Sequence, residues 1–503
     1  MDEKKPVSNG LTNRMLTGIL MTVFIFVTIL IGSHLVAPAM DVQKDAPSYE
    51  FINYLERRID SLMGKYKIPG VSISLVKEGR IIWSGAYGYS DIEDNSKIDI
   101  DTYFRVESIS KSVTAWGVMK LVEDGEIDLD KPITRYISNW KIPQSRFSYD
   151  NITVRQLLTH TSGMPLGDFL DRYPPEEEMP SLEESLSQKA IPIQMAGKEF
   201  FYSNIGYNLL ELLVEEVTGE DFASYMKNMI MIPIGMKQST FNFGDIAGES
   251  VPTGYDIKGE PVQPYVYPEK ASGGLISTVE DVALFMMAGM DDEYRLNHDV
   301  LENKSVDELY SKRIEEIGVY GLVFDGYGMG YYLEDLSNGI QSIANGGQGG
   351  GVMTYFHSIP ETGDGIVILT NSQRSWPFFG HVVNVWGMWN GHGEVGFGKI
   401  IIAQNILWAA VLLLFIIFLV QLHKVLLNLI NGRSRFSCSS LLNSPKNLLR
   451  MVVSLSALMG LLWSINQDYL FLTSIFPIVS SWIGAVILLL ALEQALMGFL
   501  IDF

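Results

Sequence analysis

A single cysteine, Cys438, occurs in the 503 residues. Residues 41–396 therefore contain neither a disulfide nor a thiol nucleophile. The seven histidines are scattered at positions 34, 160, 298, 357, 381, 392 and 423, with no HExxH or other metal-ligand spacing. A metal hydrolase is not expected, and no metal or cofactor is called for. The G-x-S-x-G elbow and the glycine-rich phosphate loop are both absent. Basic residues are scarce in the middle of the chain. Residues 41–396 hold 28 of the 37 basic and 53 of the 58 acidic residues, a net of −25. A surface of that sign disfavours nucleic acid and anionic lipid as partners of this segment, and favours solubility.

What the chain does have is long apolar runs. Residues 15–37 are almost wholly apolar and long enough to cross a bilayer, and 400–422, 449–466 and 476–500 form three further candidate spans. Lys4, Lys5 and Arg14 precede the first run, and Lys424, Arg433, Arg435, Lys446 and Arg450 lie between the second and third. The positive-inside rule places residues 1–14 and the loop 423–448 in the cytoplasm. The expectation is a multi-pass protein of the cell membrane with 41–396 as its extracytoplasmic domain. Residues 15–37 read as an uncleaved anchor, with a small-residue cleavage site at Ala37-Pro38-Ala39-Met40 as the alternative. The C-terminal spans are either simple anchors or a docking surface for a membrane protein partner. Glu493, in the last span, reads as a residue near an interface or a functional contact.

Within 41–396, residues 47–67 have the apolar spacing of an amphipathic helix. Val71–Val76 and Arg80–Gly85 flank a Lys-Glu-Gly turn and read as a hairpin. Gly351–Ser358 and Gly365–Asn371 repeat that pattern near the far end, and helical patterns fill 112–124, 152–159, 206–218, 220–231 and 278–287. Strands at both ends with helices between them predict an α/β domain whose sheet joins the two ends of the segment. The acidic stretch 173–186 reads as an exposed loop or lid margin.

Phe104-Arg105-Val106-Glu107-Ser108-Ile109-Ser110-Lys111-Ser112 puts a serine three residues before a lysine at the start of a helix. On a first turn the two side chains share a face, so the amine can take the hydroxyl's proton. The same spacing recurs at Ser138–Lys141 and Ser224–Lys227, so spacing alone selects nothing. Ser108 differs in following an extended run and opening the apolar helix Val113–Leu121, where the helix dipole favours developing anionic charge. A second stretch, Glu199-Phe200-Phe201-Tyr202-Ser203-Asn204-Ile205-Gly206-Tyr207, puts a phenol and an amide ahead of another apolar helix. A third, Ala344-Asn345-Gly346-Gly347-Gln348-Gly349-Gly350-Gly351, lets backbone N–H groups approach a substrate closely.

In this order the three stretches resemble the serine β-lactamase/penicillin-binding protein superfamily, in particular its class C β-lactamase and D-alanyl-D-alanine carboxypeptidase-like branch. Ile152–Gly163 and Ala271–Thr278 look like framework signatures of the same branch, and the similarity covers roughly 48–390. The resemblance implies an antiparallel sheet flanked by helices plus a helical region, joined here to one N-terminal and about three C-terminal transmembrane helices. It further implies acyl transfer. Ser108 would attack an amide or ester carbonyl, with Lys111 and Tyr202 handling its proton and either one as the base. The Ser108 N–H and a donor of the glycine strand, Gln348 beside Gly347, would form the oxyanion hole, and Asn204 would orient the substrate. One departure matters: the third motif of that family opens with Lys or His, where this chain has Asn345, or Gln348 in a shifted register. Without that cation, carboxylate-bearing β-lactams become poorer candidates. The expected substrate is a small peptide or ester at the cell envelope, D-amino-acid derivatives included. A true β-lactamase and a slowly acylating penicillin-binding sensor are the alternatives. Glu107 is also bulkier than the small residue common at its position.

Overall fold

The computed structural model describes residues 8–35, 43–167, 172–246, 251–437, 439–466 and 471–502. Cys438 and the cleavage alternative at 37–40 lie outside the described residues. The chain divides into two units: Met40–Ile400, and Met1–Ala39 together with Ile401–Phe503.

In the first unit an eight-stranded sheet is built from β1 (Gly70–Lys77), β2 (Arg80–Asp91), β3 (Ser96–Lys97), β4 (Gly326–Tyr327), β5 (Tyr332–Asp335), β6 (Gln341–Gly349), β7 (Val352–Ile359) and β8 (Asp364–Thr370), in the order β3-β2-β1-β8-β7-β6-β5-β4. The two predicted hairpins meet at its centre, where β1 runs antiparallel to β8 with Val71 opposite Thr370. This pairing joins the ends of the segment as expected. Strand alternation then decides what covers each face. On β7, Tyr355 stacks with Phe379 of α7 (Trp376–Trp389), while its neighbour Phe356 meets Phe285 of α6 (Val279–Ala288) on the opposite side. Helix α2 (Ser48–Tyr66) lies against α7, with Phe51 and Trp389 stacked at 4.2 Å and the Tyr66 hydroxyl 2.9 Å from His381 Nε2. Covered on both faces, β1 is buried from Gly70 to Val76.

The helical region packs α3 (Ile109–Glu123) among buried side chains of α5 (Asn204–Thr218) and the 154–158 turn. Twelve of the 15 residues of α3 are buried, Lys111 among them. The stretch 173–186 departs from the expected loop. Ser181 and Glu184 form a capping box that starts α4 (Leu182–Lys189), and Leu182 and Leu186 are buried beneath it.

The second unit holds α1 (Ser8–Leu35), α8 (Gly398–Ile430), α9 (Pro445–Ile465) and α10 (Pro477–Gly498), all long and apolar enough to cross a membrane. Helix α8 runs eight residues beyond the expected 422. The apolar pattern continues past Lys424 and stops only where Gly432 takes a left-handed φ of 68° and Arg433 N–H reaches back to Asn428 O. Ser454 of α9 donates to Ala491 O of α10 at 2.7 Å, and Gln494 of α10 donates to Gln421 of α8 at 2.8 Å. A short ladder, β9 (Ser434–Phe436) with β10 (Leu500–Asp502), ties the loop after α8 to the end of α10. Glu493 is buried, and neither carboxylate oxygen has a hydrogen-bond partner among the described residues.

Candidate active site

Ser108 stands at the entry of α3, half-buried, with the extended pair Phe104–Arg105 held against Ile276–Ser277 just before it. Lys111 is one turn on and fully buried, its Nζ 3.0 Å from Ser108 Oγ and 2.7 Å from the Ser272 carbonyl. Burial penalises its ammonium and brings it down to about 7, against the opposing pull of Glu107. A lysine so placed holds substantial neutral amine near neutral pH, within reach of the hydroxyl whose proton it would take.

Tyr202 approaches from the loop before α5. Its ring lies 4.9 Å from Lys111 Nζ, which places the phenol beside Ser108. Burial and neighbouring Tyr320 push the phenol well above its ordinary range, the nearby Ser108 hydroxyl opposing them. His160, itself left-handed at φ 58°, braces this loop. Its Nδ1 accepts from Ser203 N–H at 3.1 Å, and its ring packs at 4.3 Å from that of Tyr202. Asn204 opens α5 with its backbone N–H on Leu166 O. No hydrogen bond joins its side chain to Ser108 or Lys111 among the described residues.

The glycine strand supplies the third wall. β5 pairs with β6 only as far as Ala344, so residues 345–349 lack a strand neighbour on that side. Alternation sorts their side chains. Asn345, Gly347 and Gly349 face the turn 106–108, whereas Gly346 and Gln348 face Trp376, whose indole N–H donates to Gln348 Oε1 at 3.2 Å. A Cβ on Gly347 would lie 2.3 Å from Val106 O, and one on Gly349 would lie 2.1 Å from Glu107 Oε1. Here glycine is required for close approach, not for a turn.

Asn345 is the residue of the strand that abuts Ser108, and so the Asn-Gly-Gly register is the one brought to the start of α3. Its amide is fully engaged. Nδ2 donates to Ser112 Oγ (2.8 Å), Gly330 O (3.0 Å) and Ser108 O (3.2 Å), while Oδ1 accepts from Gly346 N–H. It clamps the start of α3 to the sheet instead of reaching into the cleft.

Several contacts of the site carried no signal in the sequence. Glu107 adopts a left-handed φ of 52°, a strain of roughly 1–3 kcal/mol for a non-glycine residue. Its buried carboxylate accepts from the Tyr265 and Tyr267 hydroxyls at 2.8 and 3.1 Å, and burial raises its pKa. Glu211 of α5 accepts from the Lys270 and Ala271 N–H groups at 2.6 and 2.8 Å, which positions the Ser272 carbonyl that receives Lys111. Arg172 lies over Tyr265 at 5.0 Å from the ring, its Nη1 only 1.7 Å from where a Cβ on Gly350 would stand. A guanidinium thus borders the far end of the glycine-rich stretch that follows Asn345. Ser-x-x-Lys spacing could never have pointed to it, since it comes from a loop far away in sequence.

A family model described as Beta-lactamase matches residues 55–381. This chain belongs to the β-lactamase family of serine hydrolases. Among relatives of this β-lactamase-family protein, Protein flp of Staphylococcus aureus (strain NCTC 8325 / PS 47) is 28% identical over 217 residues, 41% of this chain and 42% of the relative. The match therefore spans about two-fifths of that relative's length. Esterase EstB of Burkholderia gladioli is 27% identical over 220 residues, 42% of this chain and 56% of the relative. The solved structure of the octameric penicillin-binding protein homologue from Pyrococcus abyssi superposes with a TM-score of 0.60 at 27% identity, covering 71% of this chain and 81% of that one. The expected α/β architecture and the four long apolar helices are both present.

Proposed function

We propose that this protein is a membrane-anchored serine hydrolase that cleaves an ester or amide at the cell envelope through an acyl-enzyme on Ser108. The observation that carries the reading is the fully buried Lys111 amine 3.0 Å from a half-exposed Ser108 hydroxyl, with the Tyr202 ring 4.9 Å from that amine. Neutral Lys111 takes the Ser108 proton as Oγ forms its bond to the substrate carbonyl carbon. A Tyr202 phenolate is a poorer base, because burial keeps that phenol protonated. Tyr202 instead relays the proton from Lys111 to the leaving alcohol or amine as the carbonyl–heteroatom bond breaks. Water then attacks the ester on Ser108, giving up its proton by the same route, and releases the acid. The Ser108 and Gln348 N–H groups serve the developing oxyanion, and Asn204 borders the substrate.

Esters and simple amides fit better than β-lactams, because Asn345 spends its amide on protein oxygens and offers no charge to a substrate carboxylate. The relative named Esterase EstB supports the same preference. Carboxylate-bearing substrates, D-amino-acid peptides included, would depend on Arg172. Anchoring rests on the four apolar helices, and their flanking charges favour an extracytoplasmic 41–396. Labelling the full chain and Ser108→Ala with a fluorescent phosphonate and a fluorescent penicillin tests the reading. Phosphonate labelling that vanishes in the variant, without penicillin labelling, supports it. Labelling that survives Ser108→Ala removes Ser108 as nucleophile, and stable penicillin adducts without turnover favour the sensor alternative.

A further inference from the structure

Glu107 precedes the nucleophile, and both oxyanion donors of the proposed reaction are in contact with it. The first donor, the Ser108 N–H, lies on the peptide unit that begins at the Glu107 carbonyl. That carbonyl accepts from Ser110 N–H at 2.9 Å, in the first turn of α3. In a trans peptide the N–H points opposite to the carbonyl, so the Ser108 N–H is turned out of the helix. The left-handed φ of 52° at Glu107 makes this turn, between the extended pair Phe104–Arg105 and α3. The second donor, the Gln348 N–H, lies between Gly347 and Gly349, and the Glu107 side chain fits against both. A Cβ on Gly347 would stand 2.6 Å from the Glu107 Cβ, and one on Gly349 would stand 2.2 Å from its carboxyl carbon. The acid therefore occupies volume that side chains of β6 would otherwise take.

The carboxyl group is held from behind. Tyr265 and Tyr267 donate to its two oxygens, and the Tyr265 carbonyl accepts from Arg105 Nε and Nη2 at 3.1 and 2.6 Å. The strand is held from its own side, where Gly349 O accepts from Gln373 Nε2 at 2.6 Å. Burying a carboxyl group is costly, and a side chain at a left-handed φ adds strain. Glycine at 107 would avoid both costs but would leave Gly347 and Gly349 without the group they rest on. We infer that Glu107 is the positioning residue of the oxyanion hole: its backbone aims the Ser108 N–H, and its carboxyl group sets the distance to the Gln348 N–H. The inference rests on the reading of Ser108 as the acylated nucleophile.

The test uses the full chain in neutral detergent, as the parent and as Glu107→Gly, Glu107→Gln, Gly349→Ala and the double variant Glu107→Gly/Gly349→Ala. Each is assayed for kcat and KM on a neutral chromogenic ester and for inhibition by phenylboronic acid, with circular dichroism as the check of folding. The boronate adduct on Ser108 is tetrahedral and sets an oxygen in the hole. Glu107→Gly should lower kcat at least about 10-fold with KM within about 2-fold, and boronate affinity should fall in parallel. Glu107→Gln fills the same space and should recover most of the loss. Gly349→Ala should cost at least about 10-fold in kcat alone, yet less than about 2-fold more in the Glu107→Gly background, where no carboxyl group stands in the methyl's place. Unchanged kcat and boronate affinity in Glu107→Gly, or additive losses in the double variant, overturn the inference. If Glu107→Gly does not fold, kcat kept by Glu107→Gln and lost in Gly349→Ala supports it, and kcat kept in both overturns it. Hydrolysis that survives Ser108→Ala overturns the acyl-enzyme reading and this inference together, whereas an unaffected Glu107→Gly beside an inactive Ser108→Ala overturns the inference alone.

Discussion

Ser108–Lys111 and Ser224–Lys227 share a spacing and a helical setting, yet only one has the makings of a reactive pair. Ser224 lies in the exposed first turn of the helix Phe222–Met226, its hydroxyl on the capping Asp221 carboxylate at 3.2 Å. Lys227 leans away to Asp245 at 3.0 Å, with 42% of its side chain exposed. Lys111 has no exposure and no carboxylate in contact, only Ser108 and a carbonyl. Spacing fixes who can meet; burial decides whether the amine is neutral when they do. The third pair, Ser138 and Lys141, lies in exposed coil.

Four substitutions set out to break this contrast, from the largest effect to the smallest. Ser108→Ala should lower ester hydrolysis by at least about 10³-fold, whereas Ser224→Ala and Ser138→Ala should stay within about 2-fold; steady-state kinetics on a chromogenic ester distinguish them. Lys111→Ala should lose roughly 10²–10⁴-fold, against no measurable loss for Lys227→Ala. The pH profile gives the sign. With the neutral amine as the proposed base and burial bringing its ammonium down to about 7, kcat/KM should rise as pH passes upward through 7 and fall below it. A profile already flat between pH 5.5 and about 8.5 would remove Lys111 from that role. Asn345→Ala leaves the Ser112, Gly330 and Ser108 oxygens without their shared donor and should destabilise the protein by about 2 kcal/mol, read as a lowered Tm. Arg172→Ala should leave a neutral ester within about 2-fold while costing about 10-fold in KM for an ester bearing a free carboxylate. Equal effects on both substrates would make Arg172 merely a cover for Tyr265.

Much of the fold could be read from residue patterns, because hairpins and apolar spans are local signals. The turn at Lys77-Glu78-Gly79 and the run of α8 announce themselves within a few residues. The pairing of β1 with β8 was inferable only because strands occupied both ends of the segment. Contacts closed by distant loops were not legible. Arg172 over Gly350, Glu107 beneath two tyrosines and Glu211 behind Ser272 each join positions more than 60 residues apart or hinge on one backbone angle, and neither leaves a periodic trace. The small ladder between β9 and β10 was hidden for the same reason. The third motif was found, but its meaning changed. Asn345 looked like a missing cation and proves to be a structural clamp.

That clamp bears on how the protein answers its surroundings. Its donors are uncharged amide hydrogens and its acceptors are carbonyl and hydroxyl oxygens, so dissolved ions have nothing there to screen. An ammonium at the same position would have set a second cation beside Lys111 and made the reactive amine sensitive to ionic strength. With an amide instead, the clamp adds no charge beside Lys111, and its own bonds answer neither to acidity nor to salt.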